Sequence, residues 1–164
     1  MKKRSTPYLI WFAVLLMVML AIIVVWQTLP RQRLYRQLYA GQRCLNEARY
    51  DDAIKMFMQA AAIDGNSFET WLYLGDACAL KAGTEQEKAG TEVQQESEVY
   101  YDRAVQAYQN AAVTAPGAAE PYERLIAVYA RQAETAESAE AKTQFEQKKE
   151  ETERFLKEIT DGFQ

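Results

Sequence analysis

Shifted against itself by 34 residues, the chain lays Gln37, Ala40, Gly41 and Cys44 on Trp71, Leu74, Gly75 and Cys78. A pattern written twice at that period marks a chain built from repeated supersecondary units, none of which can bury its apolar face alone. The landmarks of the second copy are 3, 4 and 7 residues apart, so Trp71, Leu74, Gly75 and Cys78 share one stripe of an α-helix. Further on, Ala53, Phe57, Ala60 and Gly65 return as Ala104, Tyr108, Ala111 and Pro116, now 51 residues later. The same shift carries Trp71, Leu74 and Cys78 onto Tyr122, Leu125 and Tyr129. One insertion of about 17 residues accounts for the longer step.

A 34-residue helix-turn-helix unit headed by W-x-x-L-G, with A-x-x-x-F near its tail and a Pro after it, resembles the tetratricopeptide repeat. Trp71-Leu72-Tyr73-Leu74-Gly75 matches the head of that motif, and Ala104, Tyr108, Ala111 and Pro116 match its tail. The first copy keeps Gly41, Ala53, Phe57 and Ala60, with Gln37 where the family has Trp and Gly65 where it has Pro. The third keeps Tyr122, Leu125 and Tyr129, carries Ile126 at the small-residue position, and offers Ala141 and Phe145 as its tail pair. The resemblance implies an all-α fold, an α-α superhelix or solenoid of about three helix-turn-helix repeats. These would occupy 34–67, 68–118 and 119–150, with a loop insertion at 83–98 and a C-terminal capping helix to about residue 160. The packing follows without the family: Gly41, Gly75, Ala53 and Ala104 let helix backbones approach, while Trp71, Phe57, Tyr108 and Tyr122 fill the spaces between.

Two segments depart from the repeat. In the insertion, Lys81-Ala82-Gly83-Thr84-Glu85 is nearly copied by Lys88-Ala89-Gly90-Thr91-Glu92. From Gly83 to Glu98 its one large apolar residue is Val93, which predicts a poorly ordered loop, either a tolerated insertion or a mobile partner-binding element. From Glu137 to Ile159 the pattern predicts a long helix with Ala141, Phe145, Thr152, Leu156 and Ile159 along one side and charge on the other. Such a helix closes a stack of repeats, or docks on another protein through Phe155 and Phe163.

Tyr8 to Trp26 is a run of 19 residues without a charged or strongly polar side chain. At about 1.5 Å per residue it matches the ~30 Å hydrocarbon thickness. Tyr8, Trp11 and Trp26 suit the membrane interfaces, and Trp26-Gln27-Thr28-Leu29-Pro30 lacks the small-residue exit of a cleaved signal. The expected organisation is a short basic tail (1–7), a single transmembrane helix (8–28) and a repeat domain (31–164), with Pro30 a fitting first helical residue. Lys2, Lys3 and Arg4 before the span face Arg31, Arg33, Arg36 and Arg43 after it, so charge counting leaves the orientation open. The layout itself points to a bacterial inner or plasma membrane with the domain extracytoplasmic. The arginines after the span either meet anionic lipid or form a solvated helix face.

Past Pro30 lie all 23 acids but only 16 of the 19 bases, and an acidic domain argues against nucleic acid as a partner, since phosphate contacts need clustered cations. With no His, two Cys and no glycine-rich phosphate loop, the chain offers no catalytic residues, no cofactor and no metal site, and is not expected to be an enzyme. Cys44 and Cys78 occupy equivalent places in successive repeats, about 8–10 Å apart by helix packing, beyond the ~7 Å Cα limit for a disulfide. Two buried free thiols are expected, a redox pair being the alternative.

What remains is binding. The resemblance implies a concave groove, lined by the first helix of each unit, that holds an extended peptide or a partner's helix. Offsets of 34 and 51 give three rows of groove residues: Leu38, Leu72 and Glu123; Gln42, Asp76 and Ala127; Leu45, Ala79 and Ala130. Leu38, Leu72, Glu120 and Glu123 depart from the cationic clamp of members that capture a terminal carboxylate. A lining that is apolar at one end and mildly acidic at the other fits an apolar helix or a basic segment. The expected function is a membrane-anchored, noncatalytic scaffold or assembly factor with a protein or peptide partner, lipid being contacted through the N-terminal helix. The layout is similar to assembly factors of cytochrome c maturation. A self-associating structural membrane protein, its groove filled by a second copy, is the alternative.

Overall fold

A computed structural model describes the backbone of residues 6–87 and 91–162, and the side chains of 11–23, 30–87 and 95–162. The basic tail, the ends of the apolar run (8–10 and 24–28) and Phe163 lie outside the residues whose side chains are described. So does the whole of the second Lys-Ala-Gly-Thr-Glu copy. Among the described residues the chain is all helical: α1 (Thr6–Asn46), α2 (Tyr50–Ile63), α3 (Phe68–Gln86), α4 (Thr91–Thr114), α5 (Glu120–Thr135) and α6 (Ala139–Gly162). Each helix packs on the next in the chain, and only α1 and α3 touch appreciably across an intervening element. Short connections make consecutive helices antiparallel neighbours.

The turns are built from local chemistry. At the end of α1 the Arg49 N–H donates to Cys44 O (2.9 Å) and the Ala48 N–H to Leu45 O (3.0 Å), a Schellman-type closure with Ala48 at φ 56°. Ser67 caps α3, its Oγ accepting from the Thr70 N–H (3.3 Å) and the Thr70 hydroxyl (2.8 Å). Pro121 sits in the first turn of α5, where its missing N–H costs no helical bond.

The core repeats one contact. The Phe57 ring of α2 packs against Gly41 of α1, so close that a Cβ on Gly41 would fall 2.5 Å from Phe57 Cε1. Tyr108 of α4 does the same to Gly75 of α3, where a Cβ would fall 2.4 Å from Tyr108 Cε1. Ala53, Phe57, Ala104 and Tyr108 are all buried, as their periodicity predicts. Trp71 and Tyr122 are only half-buried: Trp71 donates its indole N–H to Gly65 O (2.7 Å), and Tyr122 rests on Phe155 with ring centroids 5.1 Å apart. In the third unit Ile126 occupies the glycine place, and no ring-on-glycine contact can form there.

Three expectations change. The insertion is not a loop over 83–98: α3 continues to Gln86 and α4 begins at Thr91, so the extra residues lengthen both arms of one hairpin. Small and polar groups hold the extension together, with Ala82 fully buried, the Ser97 hydroxyl on Ala82 O (3.1 Å) and the Tyr101 hydroxyl on Gln86 Oε1 (3.1 Å). Lys81 bridges Asp51 of α2 and the buried Glu85, at 2.8 Å each. Pro30 does not start a helix but lies inside α1, which continues through it. Finally, the tail of the third unit and the capping helix are one element, α6. Its Ala141, Phe145, Thr152, Leu156 and Ile159 are half-buried on α5, in the predicted stripe.

Trp11 to Ile23 of α1 is apolar and exposed throughout. Among the described residues no helix is long and apolar enough to cross a membrane.

Candidate binding groove

A cavity of about 750 Å³ opens along one face of the helix stack. Leu45 and Asn46 at the end of α1 and Tyr50 at the start of α2 form one end. Asp76, Ala79, Leu80, Gly83 and Thr84 of α3, with Glu87 just after it, make the floor with Tyr101 and Tyr108 of α4, and Arg124, Ala127, Val128 and Arg131 of α5 close the other end. Residues spaced by three and four along α3 and α5 place one side of each helix on the cavity.

Asp76 ties the floor together. The Tyr108 hydroxyl donates to Asp76 Oδ1 (2.8 Å), and Arg124 Nε approaches the same oxygen at 3.4 Å. One carboxylate thereby links α3, α4 and α5. Burial, reinforced by the Asp76 charge, pushes the Tyr108 phenol far above its ordinary value, so it is a proton donor throughout the physiological range. Burial likewise raises Tyr101, while Arg131, hydrogen-bonded to Tyr101 and to Glu134 (3.4 Å), is held even more firmly charged than a free guanidinium. These are positioned donors and charges suited to recognition.

Of the nine residues expected in the groove, Leu45, Asp76, Ala79 and Ala127 line the cavity. Leu38 and Leu72 do not, being 8 % exposed within the core. Each stands three residues before its glycine, on the inward stripe of its helix, and is consumed by packing. Gln42 and Ala130 are half-buried and Glu123 exposed, all outside the cavity wall. Sequence reasoning missed Arg124, Arg131, Thr84 and Tyr101. The first two lie one helical step to either side of the predicted Ala127, Thr84 belongs to the segment 83–98 read as a loop, and Tyr101 follows just after that segment. At the α5 end Arg124 and Arg131 stand where Glu120 and Glu123 were expected, each already paired with a carboxylate (Asp76 and Glu134), and the acids Asp76 and Glu87 balance them in the cavity wall.

Cys44 is half-buried and Cys78 buried, and both are free thiols. Burial pushes Cys78 up to about 11, which makes it inert near neutrality. No group of three or more Cys, Asp and Glu side chains is disposed to hold a metal ion among the described residues. Compared with known proteins, the chain matches no family model, and no curated protein matches it.

Proposed function

We propose that this chain is a membrane-anchored, noncatalytic scaffold of tetratricopeptide-like repeats that holds a peptide or helix of a partner protein in the groove between α1 and α5. The observation that carries the reading is the cavity itself. It runs over successive helical hairpins whose ring-on-glycine contacts, Phe57 on Gly41 and Tyr108 on Gly75, repeat the same packing unit. Its wall mixes apolar Leu45, Ala79, Leu80 and Val128 with the donors of Arg124 and Arg131 and the carboxylates of Asp76 and Glu87, the composition of a surface that binds side chains and backbone together. The anchor rests on the uncharged run from Tyr8 to Trp26 and on the exposed apolar face of Trp11 to Ile23, which water would not tolerate.

Photo-crosslinking in cells tests both parts. A probe at Ala79 or Ala127 is expected to capture one discrete protein partner. A probe at Val113, 78 % exposed and away from the groove, is expected to capture none of it. Equal capture at all three positions, or capture of lipid alone, would remove the groove from the proposal. Extraction of the protein from membranes by carbonate would separately remove the anchor.

A further inference from the structure

A second cavity, of about 330 Å³, is walled by the last turn of α3, the first half of α4, the α5–α6 turn and the start of α6. Glu98, Asp102 and Glu137 line it, and no Lys or Arg does. None of the three carboxylates has an ion-pair partner among the described residues. Part of the wall is apolar, formed by Ala136, Ala141 and Phe145.

Gln132 stands in this wall, 5 % exposed. Its Nε2 donates to Asp102 Oδ1 at 3.4 Å, and its Oε1 is buried with no hydrogen-bond partner. Rotating the amide would set its oxygen against the Asp102 carboxylate, two acceptors face to face, so the chemistry fixes Oε1 as the atom left over. A buried acceptor without a donor, beside exposed carboxylates that have no ion-pair partner, favours a group rich in N–H and positive in charge. A primary ammonium or a guanidinium has only donors to offer; the Phe145 ring already meets one ammonium, the chain's own Lys148 Nζ at 5.5 Å from its centroid, and its apolar body suits a methylene stem.

We propose that this cavity binds an alkylammonium or guanidinium group, with Gln132 Oε1 and Asp102 as its acceptors and Phe145 against its stem. The same chemistry is presented by a free polyamine and by the Lys or Arg side chain of a bound protein. The site is distinct from the groove and stands whether or not the groove holds a peptide.

The test is a titration of the full-length chain in detergent micelles, followed by NMR at the Gln132 side-chain amide and the Ala141 backbone amide. Spermidine represents the free polyamine, N-acetyl-lysine methylamide the protein side chain, and butyrate the control of equal stem and opposite charge. Both ammonium probes are expected to shift the two signals saturably while butyrate leaves them in place. The tighter of the two names the source. Asp102→Asn, at an exposed position, is expected to weaken binding about tenfold through loss of the charge-assisted bond. Gln132→Leu trades a buried amide with an unpartnered oxygen and one long bond to Asp102 for an apolar side chain of similar size, so it should fold and fail to bind. Shifts that spread over every acidic helix face without saturating, or that survive in both variants, would overturn the proposal.

Discussion

Gly41 and Gly75 are the positions at which the packing is decided atom by atom. Alanine is a better helix former than glycine by roughly 1 kcal/mol, so propensity alone favours the exchange. At Gly75 a methyl group would lie 2.4 to 2.8 Å from three atoms of the Tyr108 ring, a ring that is 2 % exposed and pinned by its hydroxyl to Asp76. Forcing atoms into a closed core costs about 1–3 kcal/mol, and here the obstacle is a rigid ring with nowhere to swing. Strain therefore wins, and Gly75→Ala is expected to lose about 1–2 kcal/mol in urea unfolding. Gly83, in the same helix, has nothing within 4 Å of its would-be Cβ, and Gly83→Ala is expected to gain up to about 1 kcal/mol. Equal effects at the two sites would mean that the Tyr108 ring is not held as described.

At the scale of the helix, what was legible depended on whether a residue's periodicity had one cause. Ala53, Phe57, Ala104 and Tyr108 were readable because a fully buried stripe has a single explanation. Leu38 and Leu72 were not, since a residue at the edge of that stripe can equally face a neighbouring helix or an open groove, and the offset that places it does not say which. The insertion misled for a different reason. Its scarcity of large apolar residues signals disorder, yet Ala82, Ser97, Tyr101 and the Lys81–Glu85 pair bury it through small and polar groups that a count of hydrophobes does not see. Buried protonated groups give the α3–α4 hairpin a specific alkaline weakness. Tyr108, Tyr101 and Cys78 all hold their protons more tightly folded than unfolded, chiefly through burial. Stability is therefore intact below the unfolded values, about 8.5 for the thiol and 10 for the phenols, and falls as pH rises past them because the unfolded chain ionises first. Each such group adds a slope of about 1.4 kcal/mol per pH unit until its folded value is reached. Urea midpoints measured from pH 7 to 11 are expected to be level to about 8.5 and then to drop, and Tyr108→Phe should make the drop above 10 shallower. An unchanged slope in that variant would contradict the assignment of Tyr108 as a buried donor to Asp76.

Across the whole molecule, contacts run almost entirely between helices adjacent in the chain, so stability should behave as a sum of hairpins and the interfaces between them. The ends of such an array are the weakest places, because each terminal helix is covered on one side only. α6 contributes no buried residue of its own, yet its half-buried stripe and Phe155 cover Tyr122 and the outer side of α5. At the centre, α2, α3 and α4 hold Phe57, Ala77, Cys78 and Tyr108 nearly or fully out of water. Removing α6 by ending the chain at Ser138 strips the cover from α5 but leaves both ring-on-glycine contacts intact. Hydrogen exchange on the shortened protein is expected to show α5 losing most of its protection while the amides of α2, α3 and the second half of α4 keep theirs. If protection instead collapsed along the entire chain, the helices would form one indivisible core, and a fold that grows unit by unit would no longer describe this molecule.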